Sequence, residues 1–254
     1  MRSHKKSILI SLIILSVAMV SAMAALRGQT QNSSHSQNSS ANKDEPTPIE
    51  EGMITEKQKE HSKLYNGRGS VGSNKTLRDR AAKEGAEIQI LGTELSNADI
   101  SSQDFLKNLA CKSDVIVVGK VTSKASQFSE DGGFIFTDYE IDVEKFLKNN
   151  NTQNIDKSSI TITRPGGAVQ VNGHISRAAD TAFKPLQLGN RYLLFLHSIP
   201  NTGAYQTLGG DGSFLLNHNT VVPLTIDSLP KNFSKDIDED SFVADVRTAS
   251  NCYK

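Results

Sequence analysis

Between Thr137 and Glu144 the chain alternates without a break. Tyr139, Ile141 and Val143 are interleaved with Asp138, Glu140, Asp142 and Glu144. Successive side chains on a strand point to opposite faces, so this segment puts its apolar groups on one side and its carboxylates on the other. Period two sustained over such a length predicts an antiparallel strand with one covered face, and it commits the folded region to a sheet.

The segments around it read consistently. Val115 to Val118 is a continuous β-branched run, the pattern of a strand covered on both faces. Ser159–Thr163 and Arg191–His197 are further strands, and Asn201-Thr202-Gly203 and Gly210-Asp211-Gly212 delimit short ones at Tyr205–Leu208 and Phe214–Leu216. A helix is predicted before them, with the hydroxyl of Ser101 facing the amide of Asp104 and Phe105, Leu106, Leu109 and Ala110 on one face. Another closes the chain, with Asp238, Glu239 and Asp240 at its start and Phe242, Val243, Val246 and Ala249 as its stripe. The expected fold is mostly β: a closed Greek-key barrel of about five or six antiparallel strands with flanking N- and C-terminal helices, since an open sheet of short strands would expose its edges.

Composition places this domain at residues 97–254. Residues 27–75 hold almost no bulky apolar side chains and cannot offset the entropy of ordering a backbone, so 25–96 reads as a disordered polar linker. Within it, Thr76–Glu84 suits a short charged helix, and Ile88, Ile90 and Leu91 are candidates to dock on the domain. Gly67-Arg68-Gly69-Ser70-Val71-Gly72 matches G-x-G-x-x-G, but no buried strand precedes it, so the glycines read as loosening a linker rather than as a dinucleotide site. Sequons begin at Asn32, Asn38, Asn74, Asn150 and Asn232.

The first residues give an address. Arg2, Lys5 and Lys6 precede an apolar run from Ile8 to Val20, and Ala22-Met23-Ala24 supplies an A-x-A site. Residues 1–24 are expected to be a signal peptide cleaved after Ala24, or else an uncleaved membrane tether through residues 8–26. Both place the domain in an extracytoplasmic space, secreted or periplasmic. Lys plus Arg equals Asp plus Glu at 28 each. That balance, without a basic stripe, argues against a nucleic-acid partner.

Cys111 ends the first predicted helix and Cys252 the last. In an oxidising compartment an even count implies a disulfide, and two cysteines allow one internal pairing. Around Cys111 the residues Cys111-Lys112-Ser113-Asp114-Val115-Ile116-Val117-Val118-Gly119-Lys120-Val121 resemble the first strand of the netrin-like module, which includes the inhibitory domain of the tissue inhibitors of metalloproteinases. Tyr139-Glu140-Ile141-Asp142-Val143-Glu144-Lys145-Phe146-Leu147-Lys148 is similar to its long second strand. Bacterial exported proteins with this pattern and a Gly-Gly loop look closer still, and they bring no assigned activity. The resemblance implies an OB-type barrel over residues 105–252, with a disulfide from the cysteine before strand one to a C-terminal helix. The inhibitors chelate zinc through a Cys at the mature N-terminus. Here that terminus would be Ala25 with no Cys before Cys111, so the mechanism does not carry over.

No compact ligand motif joins His174, His197 and His218, and no metal or cofactor is expected. His197 shares parity with Leu193 and Phe195 and reads as half-buried; the carboxylates of 138–144 read as a solvated face paired with residues such as Lys120 and Lys124. No G-x-S-x-G elbow is present. The expected function is non-catalytic binding of a protein or envelope ligand, protease inhibition without the chelating Cys included, with the Gly-rich loop as contact: Arg164, Gly166, Gly167, His174 and Arg177. The alternative is a cell-envelope hydrolase built on an unrecognised Ser/His/Asp set.

Overall fold

Buried β-branched residues on both sides of one strand organise the protein. The structure, a computed structural model, describes residues 49–50, 55–69, 75–90, 99–150, 158–181, 183–225, 229–234 and 237–252. In chain order the described elements are β1 (Ile49–Glu50), α1 (Glu56–Ser62) with a 3-10 turn (Lys63–Tyr65), α2 (Leu77–Glu84), β2 (Ala86–Ile90), α3 (Ser102–Lys112), β3 (Val115–Phe128), β4 (Ile135–Asn149), β5 (Ser159–Pro165), β6 (Gly167–Val171), β7 (His174–Asp180), β8 (Arg191–Ser198), β9 (Ala204–Thr207), β10 (Ser213–Asn217), β11 (Thr220–Pro223), β12 (Ile237–Asp238) and α4 (Glu239–Ala249).

The larger sheet has the order β12-β11-β10-β8-β3-β4-β5-β9, and β9 also pairs with β8. Five strands therefore close on themselves: β8, β3, β4, β5 and β9. Every pair in this ring is antiparallel except β5–β9, which is parallel. Inside lie Val115, Val117, Tyr139, Ile141, Ile162 and Leu194, all buried. Ile116 and Val118 face the other way, beneath α3 and α4 with Phe105, Phe195, Phe214 and Phe242. This is the two-sided coverage that the run Val115–Val118 predicts. The helices begin as expected, Ser101 accepting from the amide of Asp104 at 3.0 Å and Asp238 from that of Ser241 at 3.0 Å.

The strand inventory exceeds the expectation, and not every pair is antiparallel. A second sheet, β1-β6-β7-β2, joins β1 to β6 and β2 to β7 in parallel. Its hairpin β6–β7 turns at Asn172 and Gly173, with φ of 50° and 81°. Such primed turns match strand twist and need residues that tolerate positive φ. The segment read as a Gly-rich loop from Arg164 is thus largely sheet. Gly166 and Gly167 form the corner where the chain leaves the ring for the second sheet, with φ of 89° and 138°. Ser126 Oγ lies 2.8 Å from Thr137 Oγ1, which donates to the Gly166 carbonyl at 2.7 Å, and a Cβ at Gly167 would run into both hydroxyls.

The linker expectation is corrected as well. From Thr55 to Gly69 and from Lys75 to Ile90 the chain forms helices and a strand packed on the domain. Few apolar groups suffice because they are well placed: Tyr65, Leu77 and Ala81 are almost wholly buried. The signal segment, the tether 8–26 and Leu91 lie outside the described residues.

Cys111 and Cys252 form the disulfide, joining the end of α3 to the chain just past α4 with a sequence separation of 141. A loop of that length gives up to about 5 kcal/mol in the chain-entropy account. Reduction, or Cys111→Ser, is expected to lower unfolding free energy by about 2–5 kcal/mol, read as a shift in denaturant midpoint. A midpoint unmoved by reductant would refute a stabilising role.

Candidate functional site

The carboxylate of Asp138 sets up the site. Strand alternation puts it on the outer face of the ring, opposite Tyr139. It is only 5% exposed, because α1 and the 3-10 turn lie across that face. We call residues 55–69 the arm. Its helix opens with a reciprocal cap: Gln58 donates its amide to Thr55 Oγ1 at 3.2 Å, and the Thr55 amide donates to Gln58 Oε1 at 2.8 Å. One turn on, His61 is fully buried, its Nδ1 2.8 Å from Asp138 Oδ2 and its Nε2 3.5 Å from the Thr202 carbonyl oxygen.

Both His61 partners are acceptors, which favours the doubly protonated ring. Burial alone would lower the His61 pKa; the Asp138 hydrogen bond and charge, helped by Thr202, outweigh it against Lys57, and the net shift is upward from 6.5. Tyr65 completes the seam. Its ring stacks on Phe136 at 4.5 Å, its hydroxyl lies 3.1 Å from Thr163 Oγ1, and burial pushes its pKa up to about 12. Lys57 bonds Thr161 Oγ1 and pairs with Glu140 at 3.1 Å, while Arg191 grips Glu144 at 2.9 Å. The acidic face is therefore engaged by His61, Lys57 and Arg191 rather than simply solvated, and Asp138 is buried.

The arm ends against the β3–β4 turn. Gly67 donates to Asp131 Oδ2 at 2.7 Å, Asn66 Nδ2 to Glu130 at 3.0 Å, and the Asp131 amide to Asn66 Oδ1 at 3.1 Å. Asp131 Oδ1 takes bonds from Ser129 Oγ at 2.6 Å and the Gly133 amide at 3.0 Å. The Gly67 amide leads the interactions that hold the Asp131 carboxyl below its ordinary range. On the far side of the turn, Arg78 of α2 donates its amide to the Gly132 carbonyl at 3.0 Å. Gly69 is required here, because a Cβ would meet the Gly133 backbone at 2.5 Å. Two glycines of the G-x-G-x-x-G match thus fix the arm end, Gly67 by its φ of 74° and Gly69 by this close approach; Gly72 is outside the described residues.

Between the arm end, α2, β2 and the turn is a pocket of about 430 Å³. Leu77, Ile88, Ile90 and Phe134 supply apolar lining, and Arg68 and Arg80 bring guanidinium groups. Arg68 lies over the Tyr65 ring at 5.1 Å. Arg80 Nε is buried and has no hydrogen-bond partner among the described residues.

None of the contact residues expected from sequence lines this pocket. Arg164 is buried against the Phe183 ring with Asp180 at 3.8 Å, and burial pushes its pKa down to about 9. His174 is exposed at the start of β7, and Arg177, further along that strand, pairs in register with Glu87 of β2. His197 is 60% exposed and bonds Asp114 at 2.9 Å, so it is not the half-buried residue its parity suggests; it is the next-to-last residue of β8. His61–Asp138 and His197–Asp114 are histidine–carboxylate pairs, but neither has a recorded hydroxyl on its second ring nitrogen among the described residues. Among those residues no group of three or more His, Cys, Asp or Glu is placed to hold a metal, and no helix is long and apolar enough to cross a membrane. Comparison with protein-family models and with curated proteins finds no match.

Because the folded-state pKa of His61 is raised, its contribution is complete below pH 6.5 and is lost as pH rises through that higher folded value. Hydrogen exchange of α1, corrected for intrinsic rates, should show the arm protected in mild acid and loosening toward alkaline pH. His61→Ala should abolish the pH dependence and destabilise the docked arm by about 3–5 kcal/mol, since it strands a buried carboxylate. Protection that stays flat across this range in the wild type would refute docking of the arm through the His61–Asp138 pair.

Proposed function

We propose that this protein is a non-catalytic binding module acting outside the cytoplasm, and that its contact site is the pocket between α2, β2 and the arm. The pocket itself carries the reading. Its 430 Å³ lies within the range of about 300–1,000 Å³ usual for small-molecule sites, and it pairs apolar walls with a few polar groups.

The ring β8-β3-β4-β5-β9, with its parallel β5–β9 closure and two helices joined by a disulfide, supports an OB-like, netrin-like interpretation of the domain. In that interpretation the barrel is a rigid scaffold and the chain N-terminal to it supplies the binding wall. The lack of a Cys before Cys111 argues for a role other than zinc chelation. The basic, apolar and small-residue order of the first residues, together with the disulfide, supports export, with residues 1–24 as a leader or 8–26 as a tether.

Gln89 lines the pocket from an exposed position on the edge strand β2, so Gln89→Trp sets a bulky ring at its mouth without entering the core. Thermal-shift screening of small molecules should give stabilising ligands for the wild type whose effect disappears in Q89W, while the unliganded midpoint shifts little. Ligands retained by Q89W would move the contact site elsewhere. Turnover of hydrolase substrates that is lost on His197→Ala would favour an enzyme instead.

A further inference from the structure

The chemistry of the pocket walls points to the class of ligand. Two guanidinium groups border a cavity whose remaining side chains are mainly apolar. A guanidinium stays charged at any physiological pH, so these are permanent cationic donors. Neither Arg68 nor Arg80 forms an ion pair with a carboxylate among the described residues. The acid at the adjoining turn, Asp131, is already occupied: one oxygen takes the Gly67 amide, the other takes Ser129 Oγ and the Gly133 amide. Arg80 Nε is buried without an acceptor, a state that costs free energy until something bonds it. Arg68, held over the Tyr65 ring, is the exposed partner.

We infer that the pocket takes a ligand with a single oxyanion on an apolar body, the oxyanion held by Arg68 and Arg80 and the body seated on Leu77, Ile88, Ile90 and Phe134. The inference rests on the pocket being a binding site, and it adds what that site selects. Charge and lining act on different parts of the ligand. The guanidinium groups provide charge-assisted hydrogen bonds, which are stronger than neutral ones and need an anionic acceptor. The apolar walls favour whatever removes them from water, in proportion to the area covered. A compact inorganic anion would use only the first set of contacts, and a neutral hydrocarbon only the second.

Two fluorescent probes with the same aromatic body separate these contributions: 1-anilinonaphthalene-8-sulfonate and uncharged N-phenyl-1-naphthylamine. Titrated into the full chain, with Q89W as the blocked control, the sulfonate is expected to bind about tenfold or more tightly than the neutral probe. Arg68→Gln and Arg80→Gln should each remove most of that preference, weakening the sulfonate far more than the neutral probe. Arg80→Lys should restore part of it, which checks that a loss in R80Q is not simply unfolding. Displacement by octanoate and by octyl phosphate then tells a carboxylate source from a phosphate source. Equal affinity for the two probes, both lost in Q89W, would overturn the oxyanion inference and leave the pocket reading standing. Binding of both probes that Q89W does not affect would overturn the pocket reading together with it.

Discussion

A carboxylate placed on a face that becomes buried is the constraint from which the outer architecture follows. Asp138 stands on the outer side of β4 because its neighbours Tyr139 and Ile141 fill the ring, and the strand period leaves it no choice. Left to water it would be an ordinary solvated acid. Covered, it needs a partner, since an unpaired buried charge is among the most costly features a fold can contain. His61 provides that partner and Tyr65 provides apolar cover one turn later, so the pair and the docked arm require each other. A hydrophobic isostere of the pair would hold the core about as well, since such pairs give little net gain. What the charged pair adds is a defined position for the arm, and hence for Arg68 at its end.

The β3–β4 turn then converts one docked element into two. Asp131 draws in the arm through Gly67 and organises its own loop through Ser129 and Gly133, while the Gly132 carbonyl receives α2. Both walls of the pocket are thereby referred to one six-residue loop between the longest strands of the ring, Ser129–Phe134. Close approach of Gly69 to Gly133 sets the spacing, and any side chain at Gly69 would open it. The same logic governs the corner at Gly166 and Gly167. Those residues were candidates for contact with a partner, yet the hydroxyls of Ser126 and Thr137 already occupy the space a Cβ would need.

How far the chain could be read depended on how local each signal was. Val115–Val118, Tyr139–Val143 and the caps at Ser101 and Asp238 are determined within a few residues, and the structure agrees with them. Cys111 and Cys252 are distant in sequence but had only each other. The β6–β7 hairpin turns at Asn172-Gly173, but its strands are rich in Gly, Ala and polar residues and read as loop. The arm was missed for a different reason. Its few apolar groups would be inadequate for a free helix of seven residues, and composition registers that shortage. It cannot register that Asp138, far along the chain, awaits a histidine. The pocket, assembled from Arg68, Arg80, Ile88 and Phe134 on separate segments, has no sequence pattern at all.

The two tethers of this domain differ in kind. The helices α3 and α4 are joined covalently through Cys111–Cys252 and share a core with Phe195 and Phe214, so separating them exposes large apolar surface. The arm is held by a short aromatic stack, a few hydrogen bonds and two ion pairs, Lys57–Glu140 at the surface and the buried His61–Asp138, whose charge depends on pH. Local opening follows the weakest set of contacts, so the arm should detach at a lower free energy than the ring unfolds. A pocket wall at this end of the stability range can open while the scaffold stays intact. Placing Arg68 on the arm and Arg80 on α2 therefore makes the spacing of the two guanidinium groups responsive to docking, whereas two arginines on one strand of the ring would be fixed.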